Sequence, residues 1–91
     1  MSTPPALMLD LRGLLCPLPV LRLRKALLAL PEGAVVEMRA TDRASWIDVP
    51  HFCAHAGHRL ISAEESEGVL LYRIARGPAR SAQGGSGATG L

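Results

Sequence analysis

The residues with the clearest chemical potential lie in the segment 14–19, LLCPLP. A thiol directly before a proline and a helix-like pattern is typical of a cysteine at the start of a helix, with Pro17 as the first helical residue. Free backbone N–H groups and the positive end of the helix dipole would then favour the thiolate, which is the reactive form of cysteine. Cys16 is therefore a candidate sulfur nucleophile. The alternative is a small buried apolar residue, and the spacing alone does not decide between the two.

Cys53 is the second cysteine, and its position indicates packing rather than chemistry. It falls on the same predicted helical stripe as Val49, Phe52 and Ala56, so we expect a buried side chain that fills space in the core. Two cysteines this far apart in the sequence do not make the framework of a disulfide-rich domain.

The histidines form a possible metal-binding row. His51, His55 and His58 are spaced by four and then three residues, so they share one face if the helix persists that far. Two histidines four residues apart on a helix can bind a metal ion. Because Gly57 interrupts the helix before His58 and no acidic or thiol ligand joins the row, we expect a solvated polar face and no metal site.

The elements that position these residues follow from the spacing of the apolar side chains. The predicted elements are a strand over 7–11, a helix over 17–30, a strand over 34–40, a helix over 47–56, and strands over 59–62 and 69–75. The segment 64–68 is read as the turn of a hairpin between the last two strands, and Gly57 suits a left-handed helix cap. Strands that alternate with helices predict an α/β sandwich in which two helices cover one face of the sheet.

The first predicted helix has an apolar face and a basic face. Arg22 and Lys25 lie opposite the apolar stripe, and Leu18 falls on their side, one turn from the thiol. Leu18 is therefore a candidate docking contact, and a harmless exposed leucine is the competing interpretation. The apolar stripe consists of Val20, Leu23, Leu27 and Leu30, with Leu21 and Leu28 beside it.

The start of the second predicted helix carries two further features. Asp48, or Asp42 together with Ser45, is expected to cap this helix. Trp46 lies in the loop before the helix and is a second candidate contact for a partner.

Composition bounds the class of protein. The 91 residues suit one small domain, and 48% of them are hydrophobic and 20% charged, as in globular proteins. No apolar run approaches the ~18 residues that a membrane span needs, and the first residues have no signal-peptide pattern. Two isolated cysteines favour a reduced, cytoplasmic protein. We expect a flexible N-terminus over 1–6, one domain over 7–76, and a disordered Gly/Ser-rich tail over 77–91.

Several of these strings together resemble the TusA/SirA-like sulfur-carrier family. The resemblance rests on the segment LDLRGLLCPLP over 9–19, ATD over 40–42, DVPHFC over 48–53 and GH over 57–58, in the family's order and spacing. It implies a two-layer fold with a mixed four-stranded sheet. It also implies that sulfur is carried as a persulfide on Cys16, with no cofactor. Gly13 is then the residue of the sharp turn before the thiol, and Pro17 and Pro19 stiffen the start of the helix.

The resemblance also implies partner proteins. A cysteine desulfurase or a rhodanese-like enzyme would donate the sulfur, and an acceptor protein would receive it for tRNA thiolation, molybdenum-cofactor maturation or sulfur oxidation. Arg24 and Lys25 match a basic pair that family members often carry, which could steer an acidic partner. Leu18 stands where the tRNA-thiolation members often have Glu, and Asp42 is followed by Arg43 instead of Pro. The resemblance therefore leaves the pathway open.

Two other functions stay open at this point. A similar layered fold occurs in a domain of a translation initiation factor, which suggests a nucleic-acid-binding module. The net charge of only +2 and the three aromatic residues argue against it, and a steep salt dependence of RNA binding would favour it. A thiol redox sensor would instead form a sulfenic acid or a disulfide with peroxide.

Overall fold

A computed structural model describes residues 4–78 of the chain. The elements are β1 (Leu7–Leu11), α1 (Leu18–Leu28), β2 (Val35–Ala40), α2 (Ser45–Ala56), β3 (Arg59–Ser66) and β4 (Val69–Ala75). This is the predicted order of strands and helices. In the described part of the chain, no helix is both long enough and apolar enough to cross a membrane.

The four strands form one mixed sheet in the order β1-β2-β4-β3. β1 runs parallel to β2, whereas β4 is antiparallel to both of its neighbours, β2 and β3. Alternate residues of the two central strands are fully buried, as a sheet with one covered face requires. The predicted two-layer fold with both helices on one face of a mixed sheet is confirmed.

The core lies between the sheet and the two helices. α1 contributes Leu23 and Leu27, and α2 contributes Val49 and Cys53, all of them buried. The expectation that Cys53 fills space in the core is confirmed, because only 2% of its surface is exposed. The strand residues of this core are Leu11, Val36, Met38, Ala40, Leu70, Tyr72 and Ile74.

The first helix is shorter than the sequence predicts. It begins at Leu18, and Pro17 is its N-cap with φ −98° and ψ 14°, so the prediction that Pro17 is the first helical residue is wrong. It ends at Leu28 and not at Leu30. The N–H groups of Ala29 and Leu30 donate to carbonyls three residues earlier, which tightens the last turn. Pro31 then stops the helix, because a proline disfavours helical geometry in the residue before it.

The other boundaries differ in two places. α2 begins at Ser45, so Trp46 lies in the first turn of a helix and not in the preceding loop. β3 continues to Ser66, and the hairpin turn contracts to Glu67 and Gly68, with φ values of 52° and 82°. Positive φ at both central residues is the geometry of the tight turns that match the twist of paired strands. Gly57 adopts the predicted left-handed cap, with φ 81°.

The predicted domain boundaries stay predictions. Of the predicted tail over 77–91, only Gly77 and Pro78 are among the described residues, and Gly77 is buried. Of the predicted flexible segment over 1–6, the structure describes residues 4–6, and the N–H of Ala6 donates to the carbonyl of Val35 at 2.7 Å.

His58 connects the end of β4 to the end of α2. Its Nδ1 atom accepts a hydrogen bond from the N–H of Gly77 at 3.0 Å, and its ring lies 5.5 Å from that of Phe52. Burial lowers the pKa of His58 below its ordinary value of 6.5, and the charge of Arg76 lowers it further. A proton on Nδ1 would also remove the acceptor of the Gly77 hydrogen bond.

This contact predicts a loss of stability in mild acid. In the unfolded chain His58 takes up a proton near its ordinary pKa, whereas in the folded chain it does so only at a lower pH. The contribution of this site to the free energy of unfolding is therefore complete above about pH 6.5, and it is lost as the pH falls towards the lower pKa of the folded state. The variant His58→Asn keeps a hydrogen-bond acceptor but does not titrate. We expect its melting temperature to fall less than that of the wild type between about pH 7.5 and pH 5. His55→Asn, at an exposed position on α2, is the control; equal pH dependence in all three proteins would contradict this prediction.

Candidate functional site

The site lies where two parallel strands end. β1 and β2 pair in register from Leu7 with Val36 to Leu11 with Ala40, so the loops that follow them leave the sheet side by side. The N–H of Gly13 donates to Oγ1 of Thr41 at 2.9 Å, which connects the two loops. Gly13 has φ 86°, a backbone conformation that residues with a Cβ atom rarely adopt, so glycine suits this turn. The chain then leads into the segment that carries the thiol.

Cys16 is exposed and lies just before α1. Its backbone N–H donates to Oδ2 of Asp42, in the loop after β2, at 2.5 Å. Its Sγ atom lies 3.1 Å from Oδ2 of Asp48, in the first turn of α2, so the thiol donates a hydrogen bond to that carboxylate. The peptide bond between Cys16 and Pro17 is cis. Two acidic side chains, from different elements, thus hold the backbone and the side chain of one cysteine.

These contacts raise the pKa of the Cys16 thiol above its ordinary value. The hydrogen bond to Asp48 is the largest cause, followed by partial desolvation and by the negative charges of Asp48 and Asp42. Each of these disfavours the thiolate relative to the thiol. The expectation that the start of the helix favours a thiolate is therefore wrong for this arrangement.

The backbone explains why that expectation fails. Pro17 and Pro19 have no N–H groups, and the N–H of Leu18 donates to the carbonyl of Leu15 at 2.9 Å. The N–H of Cys16 itself is used by Asp42. None of the backbone positions 16–19 therefore offers a free N–H group to the sulfur.

Asp42 also organises the start of α2. Its Oδ1 atom accepts the N–H of Ala44 at 3.2 Å, and its carbonyl accepts the hydroxyl of Ser45 at 2.8 Å. The Ser45 hydroxyl lies 2.8 Å from that of the buried Tyr72. The sequence predicted that Asp48, or Asp42 together with Ser45, caps this helix, whereas the N-cap residue is Ala44 and makes no side-chain cap bond. The contacts of Asp42 and Asp48 with Cys16 were therefore missed. A usable signal for Asp42 was its position directly after a strand, at the end of the sheet where the loop with Cys16 also begins.

A small recess lies beside the thiol. It is too narrow for a water molecule, so the surrounding side chains close off the inner side of Cys16. Added atoms on the sulfur must therefore extend towards solvent. The residues that line the recess are Cys16, Pro17, Pro19, Val20, Asp42, Ser45 and Asp48.

The predicted partner contacts are all exposed. Leu18 and Trp46 are each 42% exposed, the first at the start of α1 and the second at the start of α2. Arg22 and Lys25 instead line a groove between α1 and β1. Arg24 is exposed on the same helix. Leu18, Arg22 and Lys25 are spaced by four and three residues along α1 and so share one side of that helix, whereas Trp46 lies on α2.

The other sulfur and imidazole groups lie apart from Cys16. Burial raises the pKa of the Cys53 thiol to about 11, which makes this cysteine a poor nucleophile. The rings of His51 and His55 are 4.8 Å apart on α2, whereas His58 turns away to contact Phe52. Among residues 4–78 no group of three or more His, Cys, Asp or Glu side chains is arranged to hold a metal ion.

Comparisons with known proteins place this geometry in context. The family model described as sulfurtransferase TusA matches residues 7–76. The chain is 39% identical over 70 residues to the sulfur carrier protein TusA of Pseudomonas savastanoi, an alignment that covers 77% of this chain and 83% of the relative. It is 42% identical over 66 residues to the sulfur carrier protein TusA of Pseudomonas entomophila, an alignment that covers 72% of this chain and 82% of the relative.

A solved structure is also similar. The crystal structure of a SirA-like protein from Desulfitobacterium hafniense superposes with a TM-score of 0.71 at 30% sequence identity. The match covers 79% of this chain and 99% of that one.

The role of Asp42 at the junction of the two loops predicts a measurable loss of stability. Asp42→Ala removes the acceptor for two backbone N–H groups, and we expect it to lower the free energy of unfolding by about 1 kcal/mol, as the loss of a helix-capping side chain does. Asp42→Asn retains one side-chain oxygen acceptor and should lose less. Urea unfolding of the three proteins checks this order; an alanine variant as stable as the wild type would contradict it.

Proposed function

This chain belongs to the TusA sulfurtransferase family, and from that premise we propose that it relays sulfur as a persulfide on Cys16 between two partner proteins. The family predicted from the sequence is confirmed, and its named relatives are sulfur carriers. The identity of the sulfur-bearing residue and the direction of transfer are our proposal.

The exposure of Cys16 carries this proposal. A carrier must bring its sulfur into contact with a cysteine of another protein, so the reacting thiol has to be reachable from solvent. Cys16 is exposed, whereas Cys53 is buried in the core. The filled recess behind Cys16 supports the same role, because a second sulfur atom on Cys16 would extend outwards, where an acceptor can reach it.

The transfer is a simple displacement. The sulfur of Cys16 attacks the terminal sulfur of a donor persulfide, the S–S bond of the donor breaks, and the donor cysteine leaves as a thiolate. The proton lost by Cys16 balances the one gained by the leaving thiolate, so the products are a Cys16 persulfide and a donor thiol. Unloading is the same reaction with an acceptor cysteine as the attacking group.

The partners are proposed by class. A cysteine desulfurase or a rhodanese-like enzyme provides the donor persulfide, and a protein thiol of a sulfur-using pathway accepts it. We propose the cytoplasm as the compartment, because two unpaired cysteines suit a reducing environment.

Intact-mass analysis tests the proposal. After incubation with a cysteine desulfurase and cysteine, we expect the wild type to gain one sulfur atom, roughly 32 Da, that a thiol reductant removes. Cys16→Ser should gain nothing, and Cys53→Ser should gain as much as the wild type.

Two results would overturn the proposal. A gain that followed Cys53 would reverse the assignment of the site. A wild type that took up no sulfur from desulfurase or rhodanese-like donors, but formed an oxygen adduct or a disulfide with peroxide, would favour a redox sensor.

A further inference from the structure

We propose that Asp48 is a positioning residue that holds the proton on the Cys16 thiol in the unloaded carrier and so keeps this exposed cysteine slow to react. The inference rests on the proposed role of Cys16 as the sulfur-bearing residue. It concerns a different property of the site, namely the reactivity of the thiol before any sulfur arrives.

The geometry of the thiol is the first argument. Sγ of Cys16 lies 3.1 Å from Oδ2 of Asp48, a distance at which a thiol proton bonds to a carboxylate. Asp48 is fixed in the first turn of α2, so its carboxylate does not depend on a mobile loop for its position. A thiolate at the same place would face a negative charge and would lose its hydrogen bond, because neither group would then carry a proton.

The charges around the thiol are the second argument. Asp48 of α2 and Asp42 of the preceding loop are the charged groups that act on Cys16 among residues 4–78, and both are acidic. None of the ion pairs formed within those residues involves either aspartate. Among residues 4–78, therefore, no lysine or arginine forms a direct ion pair with either carboxylate beside the sulfur.

The chemistry of a carboxylate decides what Asp48 does with the proton. A carboxylate is a much weaker base than a thiolate, so Asp48 cannot take the proton and release a nucleophile. It can only accept the hydrogen bond and favour the protonated form. The side chain thus restrains Cys16 and does not act as its general base.

The loaded carrier escapes this restraint. In a persulfide the terminal sulfur lies one S–S bond, about 2 Å, beyond Sγ. The recess, which Asp48 helps to line, has no room for this atom, so the terminal sulfur extends towards solvent. The restraint therefore acts on the empty carrier, which small oxidants and disulfides would otherwise consume, and much less on the sulfur to be delivered.

The rate of reaction with dithiodipyridine, a neutral disulfide, tests this role without any sulfur donor. The Cys16 thiolate attacks one probe sulfur, the probe's S–S bond breaks, and coloured thiopyridone leaves. Near neutral pH we expect Asp48→Asn to react roughly threefold faster than the wild type, because removal of one charge raises the thiolate fraction more than it lowers nucleophilicity. Above the pKa of both thiols, the variant should be no faster.

The reversal with pH separates this role from a structural one. A substitution that merely loosened the site would speed the reaction at every pH, and that result would overturn the proposal, as would unchanged rates. Glu64→Gln, on the face of the sheet opposite the helices, removes one acidic charge far from Cys16 and should match the wild type. Cys16→Ser gives the background rate from Cys53.

A measurement on protein that keeps Asp48 tests the proposal if Asp48→Asn fails to fold. The ultraviolet absorbance of the Cys16 thiolate should titrate at a higher pH in folded Cys53→Ser protein than in the same protein unfolded in urea. Titration at an equal or lower pH would overturn the proposal. Failure of the relay proposal would show separately, as a wild type that takes up no sulfur in the mass assay.

Discussion

The parallel pairing of β1 with β2 is the constraint on which the site depends. It makes Leu11 and Ala40 neighbours at the carboxyl ends of the two strands, so the loops that carry Cys16 and Asp42 leave the sheet side by side. A parallel pair also requires a crossover connection, and α1 provides it across the covered face. The same pairing thus places α1 on the covered face and brings a thiol next to an acid from a distant part of the chain.

The electrostatics of the site follow from which charges are closest to the sulfur. The N-terminal end of a helix acts as about half a positive charge, and that effect depends on backbone N–H groups that point at the group to be stabilised, here the sulfur. Here prolines occupy two of the relevant positions, and the N–H of Cys16 bonds to Asp42. Asp48 places a full negative charge 3.1 Å from Sγ. The full charge, closer and directly bonded, outweighs the partial one, and the thiol keeps its proton.

The sequence predicted most of the fold because the relevant signals are local. Alternating apolar residues marked the strands, and Gly57 marked the end of α2. The exact start of α1 was missed because a proline after the thiol suits either the N-cap or the first helical turn. The carboxylates of the site were missed for a different reason. Asp42 and Asp48 are 26 and 32 residues from Cys16, and a local role as helix caps explained them without any contact to the thiol.

In the proposed relay, the site has few reactive groups besides Cys16 that could set the direction of sulfur transfer. Both side chains that form hydrogen bonds with Cys16 are acids that disfavour its thiolate, so neither of them activates the thiol for attack. The attacking and leaving sulfurs have similar chemistry in both directions, and the equilibrium between them lies close to balance unless a partner shifts it. Selectivity must then reside in contacts around the thiol. In the proposed relay, Leu18 and Trp46, exposed at the starts of the two helices, are the candidate apolar contacts for partners, and neither would change the chemistry of the sulfur itself.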